Sequence, residues 1–424
     1  MHDSDRQTAW SGRRETFGLA VLFGALYFIQ GIGEPTEGLI AQPVRSLLAS
    51  WGHSAGEVAA FSALLSIPWV LKPVYGLLSD FVPIAGSHRR NYLLVTSAAT
   101  TLGLAYLYLD PPTAGGSAQW LLVLLLVPTV AVAFSDVVAD ALMVEKGQPR
   151  GITGQLQSVQ WAALYAATIA TGFVGGYLSQ HGQQELGFLI CAVVTAGTGI
   201  LAVLLVRDEP RAGSAEGVGR AWAALRRTLR SPLVWSVAAF IFLWNFNPFS
   251  TSVLYMHMTR NMGLSEQFYG NTVSVLAAAS VAASIAYYFY CRRLRFERLI
   301  HLSIAAGVAS TLAYWGLSGP ASALGITVLV GFTYMTGTLI QLDLAARSCP
   351  PETAGTTFAL LMAVSNLGYS ASAGLGGYLY DGWLTRWSEA AAFDGLVGIG
   401  ALSTCACWAV VPWLRRQMQW QAVT

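Results

Sequence analysis

Long apolar stretches alternate with short polar breaks along the whole chain. Twelve apolar runs of about 20 residues, the length that crosses a bilayer core, occur near 17–47, 56–79, 91–109, 118–143, 153–181, 186–206, 232–259, 266–290, 299–317, 321–346, 353–380 and 392–414. A polar loop at 207–231 divides the runs six and six. The pattern predicts an all-α integral membrane protein with twelve transmembrane helices, in two six-helix bundles (1–206 and 232–424) joined by a linker.

The composition excludes a water-soluble domain. Hydrophobic residues make up 54% of the 424 residues and charged residues only 11%, whereas soluble domains carry about 25% charged residues. The arginines fall in short separated clusters, which offer no continuous basic face to a nucleic acid. We therefore expect a lipid bilayer around most of the surface and no nucleic-acid partner.

The sequence carries no motif of an enzyme, a metal site or an ATP-driven pump. The patterns HExxH, GxSxG and GxxxxGK[ST] are absent. The six histidines are dispersed, and the five cysteines lie in or beside apolar runs without a CxxC pair. We expect no catalytic residue, no metal and no cofactor.

The basic residues predict the orientation of the chain in the membrane. Twenty of the 24 lysines and arginines lie before the first run, after even-numbered runs or behind the last run. By the positive-inside rule that side is cytoplasmic, so both termini and the linker 207–231 are expected there. The excess of arginine over lysine is typical of a GC-rich bacterial genome, which suggests a bacterial inner membrane.

The two halves resemble each other weakly but in register. Residues 154–180 align without gaps with residues 355–381, an offset of 201 positions. Parallel six-helix repeats are typical of the major facilitator fold, in which two bundles enclose a substrate cavity at their interface. The repeat, the six-plus-six division and the basic central loop together predict this fold.

The loop between the second and third runs carries the most specific pattern in the chain. It is similar to the superfamily signature G-x-x-x-D-x-x-G-R-R, whose elements are supplied by Gly76, Asp80, Gly86, Arg89 and Arg90. Gly76 permits close helix approach, and Asp80 can pair with an arginine or accept from a helix N-terminus. We predict that these residues form a cytoplasmic gate that stabilises one of two alternating-access states.

Two longer stretches, 67–94 and 135–161, resemble the folate–biopterin transporter family. The first matches the pattern K-P-x-x-G-x-x-S-D-x-x-P-I-x-G-x-R-R at Lys72, Pro73, Gly76, Ser79, Asp80, Pro83, Ile84, Gly86, Arg89 and Arg90. The second matches S-D-V-V-x-D-x-x-V-E at Ser135, Asp136, Val137, Val138, Asp140, Val144 and Glu145. The resemblance is sharp over roughly residues 60–160. It implies a transporter of a folate or a pterin.

The first apolar run contains two carboxylates, Glu34 and Glu37, beside Pro35. An ionisable residue at membrane depth costs about 2.5–3.5 kcal/mol, so it marks a functional site by default. Their spacing places both glutamates on one helix face, and Glu34 is the first candidate for proton coupling, with Glu37 second. The alternative is that the pair lies near the outer surface.

Other charged residues inside the runs are candidates for binding the substrate. Arg45 could contact an anion or lie at the interface, and Lys72 could contact substrate or pair with Asp136 or Asp140. Asp140, nearer the loop, is expected to join Arg89 or Arg90 in the gate, while Asp136 lies deeper.

The remaining candidates are polar and aromatic side chains in the later runs. Asp343 lies four residues before Arg347 and is expected to form a local helix pair, with substrate contact as the alternative. Neutral residues could bind a ligand or bond between helices: Asn245, Asn247, Gln341 and Asn366. Trp69 and Trp161 could stack on a flat ring.

The sequence favours a secondary transporter that moves a small organic anion by alternating access, with proton coupling and as a monomer. Two alternatives stay open. One is a permease for another small metabolite, such as an amino acid derivative or a muropeptide fragment. The other is a membrane receptor on the same fold that binds without transport.

Overall fold

A computed structural model describes most of the chain. The described residues are 3–112, 117–150, 152–207, 219, 222–223, 226–249, 251–290, 294–349 and 354–418. The predicted linker 207–231 lies largely outside them. The described part is almost entirely helical.

Fifteen helices are described in chain order. They are α1 Asp3–Gly33, α2 Ala41–Ser50, α3 Ala55–Ser66, α4 Lys72–Phe81, α5 Arg90–Leu109, α6 Ala118–Gly147, α7 Thr153–Gln180, α8 Gln184–Leu205, α9 Pro232–Trp244, α10 Ser252–Met256, α11 Glu266–Tyr290, α12 Phe296–Leu312, α13 Pro320–Ser348, α14 Ala354–Leu384 and α15 Glu389–Gln417. A 3₁₀ turn over Ile67–Leu71 joins α3 to α4.

Eleven helical segments of the described chain are long and apolar enough to cross a membrane, with α3 to α4 counted as one segment. Large apolar side chains on their outer faces stay exposed, among them Leu102 (69%), Val193 (66%) and Leu402 (70%), as expected for contact with lipid. The seventh predicted run is divided into the shorter helices α9 and α10, neither of which is long enough to cross a membrane alone. Twelve crossings and cytoplasmic termini remain predictions.

The first and seventh runs are interrupted at corresponding places in the two halves. The first breaks between Gly33 and Ala41, and the seventh between Trp244 and Ser252. Proline, which lacks a backbone donor, lies in each break at Pro35 and Pro248. Paired breaks of this kind point to a binding site near the middle of the membrane.

The break corrects one prediction about the glutamates. Glu34 and Glu37 do not share a helix face, because α1 ends at Gly33 and both residues lie in the following turn. The turn is tight: the Gly38 amide donates to the Glu34 carbonyl (2.8 Å) and the Leu39 amide donates to the Ile32 carbonyl (3.0 Å). The apolar continuation that predicted one long helix belongs to the separate helix α2.

The molecule has two ends, and one of them, called the basic end, holds the basic residues in the last turns of α6, α13 and α15. The basic end carries the ion pairs Glu15–Arg150, Asp343–Arg347 and Glu297–Arg415. The opposite end carries the turns after α2, α7 and α10, including Gly52, Gly182 and Gly263, all with positive φ.

An apolar core crosses between the halves at the opposite end. There Ala49 and Ala55 of the first half join a cluster with Phe249, Val253 and Phe393 of the second. Glycines allow the helices to approach closely: a Cβ on Gly270 would lie 2.3 Å from the Gly172 carbonyl oxygen. The halves are therefore in tight contact at this end.

Candidate functional site

A ladder of polar side chains runs up one face of α1. Tyr27 and Gln30, three residues apart, lie on the same face of α1. Glu34 follows directly after the helix, and its amide still donates to the Gln30 carbonyl (2.9 Å). The Tyr27 hydroxyl donates to Asp140 (2.5 Å), and the Gln30 amide donates to Asp136 (2.6 Å). Asp136 and Asp140 are themselves four apart on α6. The two helices therefore meet along matched polar edges inside an apolar bundle.

Lys72 supplies the positive charge beside this ladder. Its ammonium lies 2.5 Å from Asp136, with side chains 19% and 6% exposed. The same ammonium lies 4.7 Å from the ring centroid of Trp69, a distance suited to a cation–π contact. Of the two partners that the sequence allowed for Lys72, the structure gives Asp136.

Glu34 is buried, with 7% of its surface exposed. Its carboxylate accepts from the amides of Thr36 (2.8 Å) and Glu37 (2.5 Å), from the Thr36 hydroxyl, and from the Trp69 indole (3.2 Å). Because the chain turns sharply after Gly33, the amides of Thr36 and Glu37 point back at the Glu34 carboxylate. Glu34 therefore lies inside the protein, at the end of the ladder, while its depth in the membrane remains a prediction.

Two contacts connect this region to the second half. The Asn366 amide of α14 donates to the Trp69 carbonyl (3.0 Å). One turn further along α14, the Tyr369 hydroxyl donates to Glu37. Unlike Glu34, Glu37 is exposed. The two glutamates thus have different environments, although they are only three positions apart in the sequence.

Arg45 lies on α2, which follows the break after α1. It is buried, with 6% exposure. Its guanidinium donates to the Thr36 carbonyl at 3.4 Å, and the nearby groups that act on its charge are Tyr269, Glu37, Tyr369 and Tyr255. Among the described residues no carboxylate lies within 4 Å of it. Arg45 is therefore not at an exposed interface.

The polar candidates of the second half are held mainly by one another. The Asn245 amide donates to the Gln341 carbonyl oxygen (3.0 Å) and to the Ile241 carbonyl (2.8 Å). The Asn247 amide donates to the Trp244 carbonyl (3.2 Å). The Gln341 amide nitrogen is buried with no described hydrogen-bond acceptor, so this donor faces the interior unsatisfied.

Two further candidates have their described contacts with residues outside the ladder. Asp343 pairs with Arg347 at 3.0 Å within α13, which confirms the predicted local pair. Trp161 packs on Tyr165, with ring centroids 6.0 Å apart, and the Tyr165 hydroxyl contacts the Met335 sulfur of the second half.

Several residues of the predicted gate lie around Arg89, which is buried although Asp80 is half exposed. The guanidinium pairs with Asp80 (2.6 Å) and Glu145 (2.8 Å) and donates to the Ser79 hydroxyl (2.9 Å). Gly86 adopts a φ of +79°, which fits the glycine of the signature.

The predicted pairing of Asp140 with Arg89 or Arg90 is wrong. Asp140 instead accepts from Tyr27 and from the Gln160 amide (3.1 Å), while Glu145 takes the place beside Arg89. Asp140 lies seven residues before the end of α6, too far inside for the loop arginines. Arg90 donates to the Val203 carbonyl at 3.4 Å.

Sequence reasoning missed several residues of the ladder and the gate, namely Tyr27, Gln30, Thr36, Glu145, Gln160 and Tyr369. Their residue types are common in membrane helices as packing or interface residues. For Tyr27 and Gln30 a signal existed, because they precede Glu34 at helical spacing.

Comparisons with known proteins place the chain in a family. A model of the BT1 family matches residues 38–419, well beyond the stretch that carries the sharp motifs. The folate-biopterin transporter of Synechocystis sp. is 29% identical over 388 residues, covering 87% of this chain and 74% of the relative. Folate transporter 2 of Plasmodium falciparum is 21% identical over 332 residues, covering 74% and 70%.

Solved structures confirm the predicted fold. The nucleoside transporter NupG superposes with a TM-score of 0.72 at 13% identity, covering 93% of this chain and 99% of that one. A D-xylose-proton symporter superposes with a TM-score of 0.69 at 12% identity, covering 94% and 99%. The fold is that of the major facilitator transporters, and since the family model spans most of its length, this integral membrane protein belongs to the BT1 family.

Proposed function

We propose that this protein is a proton-coupled secondary transporter of a folate- or pterin-like anion, which acts as a monomer in a bacterial inner membrane. The names of its relatives support the substrate class, and the fold supports alternating access. Proton coupling is our inference from the interior of the first half.

The observation that carries the proposal is the ladder that ends at Glu34. A carboxylate buried beside an inter-half contact is surrounded by protein donors in this state. When the halves move apart there, its surroundings become aqueous, so its proton affinity changes with the state of the transporter. A group that takes up and releases a proton during this cycle couples proton and substrate movement. Glu37, exposed beside Tyr369, is the second candidate.

The surroundings of the ladder suit a flat anionic ligand. Trp69 and Trp161 offer ring faces for stacking, and Lys72 and Arg45 supply positive charge. In our proposal neutral groups from the second half complete the site by hydrogen bonding, and the buried unsatisfied amide of Gln341 is the clearest available donor. The others are Asn245, Asn247 and Asn366. Asp136 holds Lys72 in place.

Uptake into proteoliposomes tests the proposal. We expect labelled folic acid or biopterin to accumulate when the external buffer is more acidic than the lumen, and accumulation to stop when an ionophore dissipates the gradient. Saturable binding without accumulation would overturn transport in favour of a receptor. Accumulation of amino acid derivatives or muropeptides in preference to both pterins would overturn the substrate class.

A further inference from the structure

The turn between α2 and α3 presents two helix ends of opposite polarity. Helix α2 finishes at Ser50, so its last carbonyls carry partial negative charge, and α3 begins at Ala55, so its first amides carry partial positive charge. Only Trp51 to Ser54 separate them. A neighbouring element can therefore stabilise this turn with a cation at the end of α2 and an anion at the start of α3.

The second half supplies the cation at the carbonyl end. Arg260, in the π-helical turn after α10, donates to the carbonyl of Ala49 in the last turn of α2. Its other terminal nitrogen donates to the His53 carbonyl at 3.3 Å. A guanidinium at a helix C-terminus is the favourable arrangement of charge and dipole.

The second half also supplies the anion at the amide end. Asp381, near the end of α14, accepts from the Gly56 amide (3.0 Å) and from the hydroxyl of Ser54, the N-cap of α3. Close packing fixes this contact, because a Cβ on Gly56 would lie 2.3 Å from the Asp381 carboxylate and 2.7 Å from the Gly377 carbonyl. No side chain larger than glycine fits there without moving α14.

We propose that Arg260 and Asp381 form a charge clamp that keeps the opposite end of the transporter closed. Each residue matches the sign of the helix end that it contacts, and both contacts join one half to the other. By contrast, the ion pairs described at the basic end, Asp343–Arg347 and Glu297–Arg415 among them, stay within one half. Opening the opposite end requires both residues of the clamp to release the turn.

The clamp deepens the proposed function, since it assigns the residues that hold one of the two alternating states. Asp381 is the stronger member because it is partly buried and accepts two bonds, whereas Arg260 is exposed and its charge is screened by solvent. Loss of the Asp381 carboxylate is expected to raise the open fraction of this end about fivefold. Loss of Arg260 is expected to raise it about twofold.

Thiol labelling measures this opening without any substrate, so its outcome is independent of whether folates are transported. Ser252 suits a reporter because it is 1% exposed and lies at the inter-half contact, 3.1 Å from Ser62. We would replace the five native cysteines, introduce Ser252→Cys, and measure its labelling rate with a membrane-impermeant maleimide. When opening is fast relative to labelling, the rate reports the open fraction.

The proposal predicts faster labelling in the order Asp381→Ala, Asp381→Asn, Arg260→Gln. Glu185→Gln, which changes an exposed glutamate at the start of α8, is the matched control and is expected at the wild-type rate. The asparagine variant keeps an acceptor for the Gly56 amide but loses the charge. Labelling of Asp381→Ala at the wild-type rate would overturn the clamp. If that variant fails to fold, Arg260→Gln decides, because it changes only an exposed side chain: an unchanged rate in it would also overturn the proposal.

Discussion

The interiors of the two halves differ in chemistry although the halves share one architecture. Among the described residues, the interior of the first half holds Glu34, Lys72, Asp136 and Asp140, whereas the interior of the second holds Asn245, Gln341 and Asn366. The first membrane segment of each half is interrupted, so the backbone has the same architecture in both halves. The difference teaches that charge is not needed to form this fold, because the second half forms it with neutral groups.

Charge in the first half is maintained by mutual compensation. Lys72 neutralises Asp136, Gln30 and Tyr27 donate to the two aspartates, and backbone amides satisfy Glu34. Such an arrangement costs desolvation energy that neutral residues would avoid. Since stability does not require it, we assign its retention to proton coupling and substrate binding.

The largest effect expected in this comparison comes from breaking the buried ion pair. Lys72→Met leaves Asp136 as an uncompensated charge inside the bundle, which costs on the order of 3 kcal/mol. We expect a clear fall in the unfolding temperature of the purified protein in detergent, measured by a thermal shift. An unfolding temperature equal to that of the wild type would show that the pair is not structural.

A double variant separates loss of the pair from loss of packing. Asp136→Asn removes the charge but keeps an acceptor for Gln30, so Lys72→Met with Asp136→Asn is expected to recover at least about 1 kcal/mol of the loss. Simple addition of the two single effects would contradict this interpretation.

A smaller effect is expected from the neutral counterpart in the second half. Asn245→Ala removes the bond to Gln341, and hydrogen bonds between membrane helices contribute about 0.6 kcal/mol on average. We expect an unfolding temperature close to that of the wild type in the same assay. A loss as large as that of Lys72→Met would remove the distinction between the halves.

The sequence was sufficient to predict the fold. Helix spans depend on apolar length, and the fold on the six-plus-six division and the repeat, all of which can be read locally. The interruption after Gly33 was not predicted, because the apolar stretch continues to Leu48 and hides a turn that Pro35 initiates. The short seventh helix was missed for the same reason at Pro248.

The sequence predicted which residues belong to the candidate site better than it predicted which residues they contact. The cost of burying charge singled out Glu34, Lys72 and Asp136 without any structure. Their partners depend on the depth at which two helices meet, which is why Asp140 was assigned to Arg89 although it contacts Tyr27. Neutral partners such as Gln30 carry no comparable cost, so only the helical spacing of Gln30 from Glu34 could have indicated its role.

Proton coupling through Glu34 is the central claim, and one paired measurement in proteoliposomes tests it most directly. Glu34→Gln is compared with Glu185→Gln, an exposed glutamate at the start of α8, for folate uptake driven by a pH gradient and for exchange of folate against folate. The account predicts that Glu34→Gln loses gradient-driven uptake yet retains exchange, while Glu185→Gln keeps both. Undiminished uptake with unchanged pH dependence in Glu34→Gln would contradict it.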